Sequence, residues 1–184
     1  MISRVLALFL IIILLPFFIL ITISIFFLDG RPVFFIQKKY GKDNTVFNFY
    51  KFRTMKVNTP QIPTEDFHDA NFYVSKLGSF LRRWSIDELP QLFNILYGDM
   101  NFVGPRPCMV ENEEKLKKLR ESKGIHKIKP GITGLAQVNG RDINTYEQKV
   151  ELDYEYAKNS NLLMDIKIII KTIIVVLIPK NIKH

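Results

Sequence analysis

Between Val5 and Leu28 the chain carries no charged side chain, and Thr22 and Ser24 are its only polar ones. Roughly 20 apolar residues cross the hydrocarbon of a bilayer as a helix, so a membrane is the first constraint on any fold this chain adopts. A cleaved leader would have a shorter apolar core and a small-residue cleavage site. Here the run ends in Phe26-Phe27-Leu28-Asp29-Gly30, so the segment is expected to be retained. Pro16 stands at its midpoint, where proline removes one backbone hydrogen bond and kinks a helix. Two geometries fit: a bent helix that spans, which elementary physics favours, or a helical hairpin that dips in and returns.

Arg4 is the sole basic residue beside this run, so nearly all of the formal net charge of +8 lies after it. Positive charge beside a membrane stays on the cytoplasmic side, which is where the remainder is expected. A basic domain tied to an apolar anchor suits anionic lipid, phosphate-bearing substrates or nucleic acid. The 184 residues suffice for one domain with a real core. The single cysteine, Cys108, excludes an internal disulfide and fits a reducing compartment.

After residue 28 the pattern alternates between strand and helix signals. Val33 to Ile36 and Val46 to Phe52 read as strands, and Gly41, Asp43 and Asn44 between them form a turn composition. Residues 56–73 read as a loop. Helices are expected over 76–84, 89–97, 111–123, 146–158 and 162–178, and 129–140 reads as irregular and glycine-rich. Asp165, Lys167 and Lys171 interrupt the last helix. It is either a core helix with a basic end or a helix lying in the lipid interface.

The chemistry-bearing residues concentrate between Arg82 and Arg106. Ser85-Ile86-Asp87-Glu88 matches a capping box, a purely structural use of the acids. Pro90 complicates that reading, because it falls inside the capped helix. If Pro90 starts the helix instead, both carboxylates sit in the turn before it, at a helix start able to hold phosphate. Arg82 and Arg106 are then suited to neutralise diphosphate oxygens. A carboxylate there is suited to attack phosphorus, and its partner to help bind a divalent cation. The second cluster, Lys129 to Arg141, is either a tight loop or a binding segment in which glycines let the backbone approach a ligand while Thr133, Gln137 and Arg141 contact it. It is neither a Walker loop nor a dinucleotide fingerprint. His68, His126 and His184 are isolated and read as surface residues.

Four segments recur together: Tyr50-Lys51-Phe52-Arg53-Thr54-Met55; Arg82 followed by Ser85-Ile86-Asp87-Glu88-Leu89-Pro90-Gln91-Leu92-Phe93-Asn94; Gly98-Asp99-Met100 with Val103-Gly104-Pro105-Arg106-Pro107; and Lys129-Pro130-Gly131-Ile132-Thr133-Gly134-Leu135-Ala136-Gln137-Val138-Asn139-Gly140-Arg141. In order and spacing the chain resembles the monotopic phosphoglycosyl transferases, the bacterial sugar transferase family, over roughly residues 5–178. The resemblance implies an α+β fold, with a membrane-inserted re-entrant helix over 1–28 broken at Pro16. A mainly helical cytoplasmic domain with a small β-hairpin follows over 29–184. It implies a catalytic Asp87–Glu88 dyad, Mg2+ held by Asp87, and substrate or phosphate contacts from Lys51, Arg82, Arg106, Thr133, Gln137 and Arg141. The implied reaction moves a sugar-1-phosphate from a UDP-sugar to undecaprenyl phosphate at the cytoplasmic face of the bacterial inner membrane. Asp87 attacks the sugar-linked phosphorus, UMP leaves, and the lipid takes the phosphosugar. Membrane lipid is an expected partner and nucleic acid is not. The small size favours an acetamido-deoxy sugar by analogy. Leu15, Ser3 and Lys39 depart from residues common in the family, which carries Ser, an acidic residue and Arg there.

Two other functions compete with this one. A membrane-anchored binding protein would account for the charge and the anchor, but not for Asp-Glu beside arginines. A diphosphate hydrolase would use the same site with water as acceptor.

Overall fold

The computed structural model describes residues 1–59, 73–140 and 145–177. They form an α+β fold in two compact units, one of Met1–Gln37 with Asn48–Gly98, the other of Lys38–Phe47 with the described residues from Asp99 to Leu177.

In the first unit, helix α1 (Ile2–Leu28) runs through Pro16 without interruption. Ala7, Ile11, Phe18, Ile21 and Ile25 are buried along one stripe, and Phe9, Ile12, Ile13, Leu20 and Phe27 are exposed. The stripe follows from helical spacing, in which residues three and four apart share a face. Phe18, Ile21 and Ile25 pack on Phe52 and Leu81, with Ile86, Leu89 and Phe93 against the same cluster. Phe18 meets the Phe93 ring edge-on at 5.8 Å. Ile86 and Leu89 bracket Asp87-Glu88, so the apolar helix helps seat the acidic pair.

The two strands β1 (Phe34–Tyr40) and β2 (Val46–Phe52) pair through a 3-10 turn at Lys42–Asn44. A connection this short leaves only an antiparallel hairpin. Asp43 and Asn44 take φ of 53° and 58° in the turn, a conformation these two residue types tolerate. The first strand is longer than its apolar part. Gln37 to Tyr40 continue it, and Tyr40 N–H donates to the Cys108 carbonyl at 2.9 Å. Helix α2 (Lys76–Arg83) is capped by Ser75, whose Oγ accepts from Gly78 N–H at 2.8 Å and donates to Asp29 Oδ2 at 2.8 Å. Helix α3 (Gln91–Tyr97) ends at Gly98, φ 94°. Arg4 Nη2 donates to the Tyr97 carbonyl at 3.0 Å, placing a cation where the helix dipole favours one. The φ of 94° is what favours glycine at this position, and a Cβ there would also displace the Arg4 guanidinium from the carbonyl.

In the second unit, β3 (Asn101–Val103) and β4 (Gly131–Thr133) pair in parallel, Asn101 opposite Gly131 and Val103 opposite Thr133. The glycines permit this crossing. A Cβ on Gly131 would fall 2.1 Å from Gly104 N, and one on Gly134 2.2 Å from Gly104 O. Around the pair lie α4 (Glu114–Ser122), a 3-10 turn at Ile125–Lys127, α5 (Leu135–Val138), α6 (Tyr146–Asn159) and α7 (Leu162–Leu177). The segment read as irregular thus contains a strand and a short helix. Helix α7 is not a core helix. Ile168 is buried, while Leu162, Leu163, Ile166, Ile170, Ile173 and Ile174 are exposed. The expected loop over 56–73 lies mostly outside the described residues.

Candidate active site

Asp87 and Glu88 lie in a 3-10 turn, Ile86–Glu88, that leads through Leu89 and Pro90 into α3. The capping box expected at Ser85 does not form. Ser85 is left-handed (φ 54°) with no side-chain cap bond, and α3 starts only after Pro90. Proline has no N–H to give to a cap and suits a helix start. Glu88 Oε1 accepts from Lys51 Nζ at 2.9 Å, and Asp87 Oδ2 lies 3.7 Å from the same nitrogen. Both carboxylates are buried. Burying two adjacent carboxylates is unfavourable unless a cation faces them, and Lys51 on β2 is that cation.

Strand β2 is held in place by a residue to which the sequence reading assigned no role. Asn94, fully buried on α3, donates from Nδ2 to the Asn48 carbonyl at 2.6 Å and accepts at Oδ1 from Tyr50 N–H at 3.2 Å. Its amide thus takes the place of a neighbouring strand just before Lys51. Asn94→Ala is expected to destabilise the protein by about 1–3 kcal/mol, because two backbone groups lose their partner. Chemical denaturation in detergent measures it, and a variant as stable as the parent would remove Asn94 from this role.

Two further side chains of this unit bury polar atoms. Gln91 is 0% exposed, and neither amide atom has a partner among the described residues. Arg53 spends Nη2 on the Asp29 and Gly30 carbonyls, the latter at 2.8 Å, and among the described residues Nε and Nη1 have no partner. Arg82, in the last turn of α2, donates to Met55 Sδ at 3.4 Å.

The other predicted contacts belong to the second unit. Arg106 is half-buried in the Gly104–Pro107 loop. Thr133 is buried, with Oγ1 2.7 Å from Thr172 Oγ1 of α7. Gln137 is half-buried, and among the described residues neither of its amide atoms has a partner. Arg141 lies outside the described residues. The sequence reading missed Arg120 and Asp153. Arg120 is buried on α4, and its Nε and Nη2 donate to Asp153 Oδ2 of α6 at 3.0 and 2.6 Å. Burial alone would lower the Arg120 pKa, but Asp153, Cys108 and Glu113 together outweigh it and the pKa rises, so the guanidinium stays charged. The adjacent Cys108 thiol is pushed up by burial, against the opposing pull of Arg120. Among the described residues no three His, Cys, Asp or Glu side chains converge as a metal cluster.

A buried Asp-Glu pair facing a lysine makes this turn the candidate active site of the α+β domain. The model of the family described as bacterial sugar transferase matches residues 1–179, and the chain belongs to that family. It is 38% identical over 177 residues to the UDP-glucose:undecaprenyl-phosphate glucose-1-phosphate transferase of Escherichia coli (strain K12), covering 92% of this chain and 38% of that protein. It is 38% identical over 167 residues to the galactosyl transferase CpsE of Streptococcus agalactiae serotype III, covering 84% and 37%. It is 39% identical over 159 residues to the uncharacterized sugar transferase EpsL of Bacillus subtilis, covering 84% and 75%. The chain therefore spans little more than a third of the first two relatives and three quarters of the third.

Proposed function

We propose that this chain transfers a sugar-1-phosphate from a UDP-sugar to undecaprenyl phosphate through a covalent intermediate on Asp87. The observation that carries the reading is the buried Asp87–Glu88 pair with Lys51 against both carboxylates. In the first step an Asp87 carboxylate oxygen attacks the sugar-bearing phosphorus, and the bond to the bridging oxygen breaks. UMP leaves with the electron pair. In the second step a phosphate oxygen of undecaprenyl phosphate attacks the same phosphorus, and the aspartyl–phosphorus bond breaks. The carboxylate is thereby restored. Lys51 holds Glu88 and orients the pair, while Arg82, Arg106, Gln137 and Arg141 bind diphosphate oxygens. The donor set fits Mg2+, which takes one or two protein carboxylates and completes its shell with substrate phosphate and water. Asp87 would hold it, and the ion would neutralise developing phosphate charge.

Relatives named for undecaprenyl phosphate carry glucose in E. coli and N-acetylgalactosamine in Aeromonas hydrophila. An acetamido-deoxy sugar is the first donor to test and glucose the second. The experiment incubates membranes containing the protein with undecaprenyl phosphate and a panel of UDP-sugars. UMP release with a lipid-linked phosphosugar is expected. UMP release with free sugar phosphate and no lipid product would make the protein a hydrolase.

The reading extends to the membrane: we place both ends of α1 on the cytoplasmic side of the inner membrane. The basic charge then serves headgroups and diphosphate rather than nucleic acid. Arg4 bonds Tyr97 and Asp29 bonds Ser75, so the two ends of α1 hold the same unit. A spanning helix would set those ends on opposite sides of roughly 30 Å of hydrocarbon. Single cysteines at Ser3 and Arg31, in a Cys108→Ser background, test this with an impermeant thiol reagent on spheroplasts. Arg31 is exposed, whereas Asp29 is engaged by Ser75. Protection at both positions is expected, and labelling at Ser3 alone would mean that the helix spans.

A further inference from the structure

The Gly104–Pro107 loop is pinned from two sides. On one, Gly104 N–H donates to the Thr133 carbonyl at 2.9 Å and Gly131 N–H to the Pro105 carbonyl at 3.0 Å. On the other, Arg120 Nη1 donates to the Arg106 carbonyl at 2.6 Å and to Cys108 Sγ at 2.8 Å. Pro105 and Pro107 fix their own φ on either side of Arg106. The carbonyls of Pro105 and Arg106 thus each have a dedicated donor, and one comes from a buried cation.

Arg120 is poorly explained as a stabilising device. A buried ion pair contributes little net stability compared with apolar residues of the same volume. What an arginine does here that an apolar residue cannot is use three nitrogens at once. Nε and Nη2 go to Asp153 and fix the plane, which leaves Nη1 aimed at the Arg106 carbonyl. A lysine has no such planar fork. We infer that Arg120, oriented by Asp153, is a positioning residue that holds the backbone of Arg106 so that its guanidinium meets the substrate diphosphate. This rests on the proposed role of Arg106 as a diphosphate clamp. The pair reaches substrate only through Arg106, and a displacement of about 1 Å in a positioning group can lower turnover by up to a hundredfold.

The test replaces the whole pair with apolar residues, Arg120→Met with Asp153→Leu, so that no buried charge is left alone. Arg120→Lys is the second variant and keeps a charge opposite Asp153. Each is made with and without Arg106→Ala in the full chain, and UMP release from the best UDP-sugar of the panel is measured beside thermal unfolding. Arg106→Ala alone is expected to lower kcat/KM about ten- to a hundredfold. The paired variant should melt like the parent and lose about tenfold in kcat/KM. Added to Arg106→Ala, it should lower the rate no further, an interaction that a merely structural role would not produce. Parental kinetics in both the paired and the lysine variants would overturn the inference. So would losses that multiply with Arg106→Ala, or an Arg106→Ala variant with unchanged kinetics. A parent that releases no UMP from any donor would overturn the proposed function and this inference with it. Parental turnover with silent Arg120 variants would remove only the positioning role.

Discussion

Asp87→Asn is expected to stop turnover, with UMP release falling about a thousandfold or more, the scale seen when a covalent nucleophile is removed. The substitution is nearly isosteric, and Ile86 and Leu89 still anchor the turn in the apolar cluster. Lys51 keeps its 2.9 Å bond to Glu88. The fold and the lysine contact therefore survive, and what is lost is an anionic oxygen able to attack phosphorus. Glu88→Gln should act less severely, because it weakens the Lys51 contact and leaves the nucleophile in place. Mass spectrometry of the parent incubated with donor alone should find a phosphosugar on the peptide containing Asp87, absent from Asp87→Asn. Full activity in Asp87→Asn would end the assignment of this residue.

Asp153→Ala is expected to produce the largest loss of stability, about 3–5 kcal/mol, because it strands Arg120 as an unpaired buried charge. Asp153 is 1% exposed and carries two of Arg120's hydrogen bonds. The pair ties α6 to α4 beside the cluster of Cys108, Leu116, Ile125 and Val150. Denaturant unfolding in detergent measures the effect, and replacing both partners with apolar residues should restore most of the loss. A single variant as stable as the parent would mean that water reaches Arg120.

Much of the chain's local structure was legible because its signals are periodic. The apolar run of α1, the alternation of β2 and the helices at 76–83, 114–122, 146–159 and 162–177 all fall within a residue or a few of the expected bounds. Composition cannot register whether a partner covers an apolar face, so α7 could not be settled in advance. Once folded, its Leu and Ile side chains stand exposed around a single buried Ile168. The parallel pair β3–β4 was invisible because three-residue strands carry no period and meet only across the intervening chain. The three glycines at the crossing were visible as glycines, though not as the reason two backbones touch.

The sequence by itself determined that the chain carries a long apolar helix, that Asp87 and Glu88 stand at a helix start or just before it, and that four motifs in order place it in its family. These are local or additive properties, readable from neighbours along the chain. Only the tertiary structure decided what the carboxylates do. A capping box was available at Ser85 and was refused, because Ser85 turned left-handed and Lys51, 37 positions away, took Glu88. The same holds for Asn94 against β2, 46 positions from Asn48, and for Arg120 with Asp153, 33 apart. Most buried polar groups take their partner wherever the fold brings one, and residue spacing along the chain carries no record of which partner that will be.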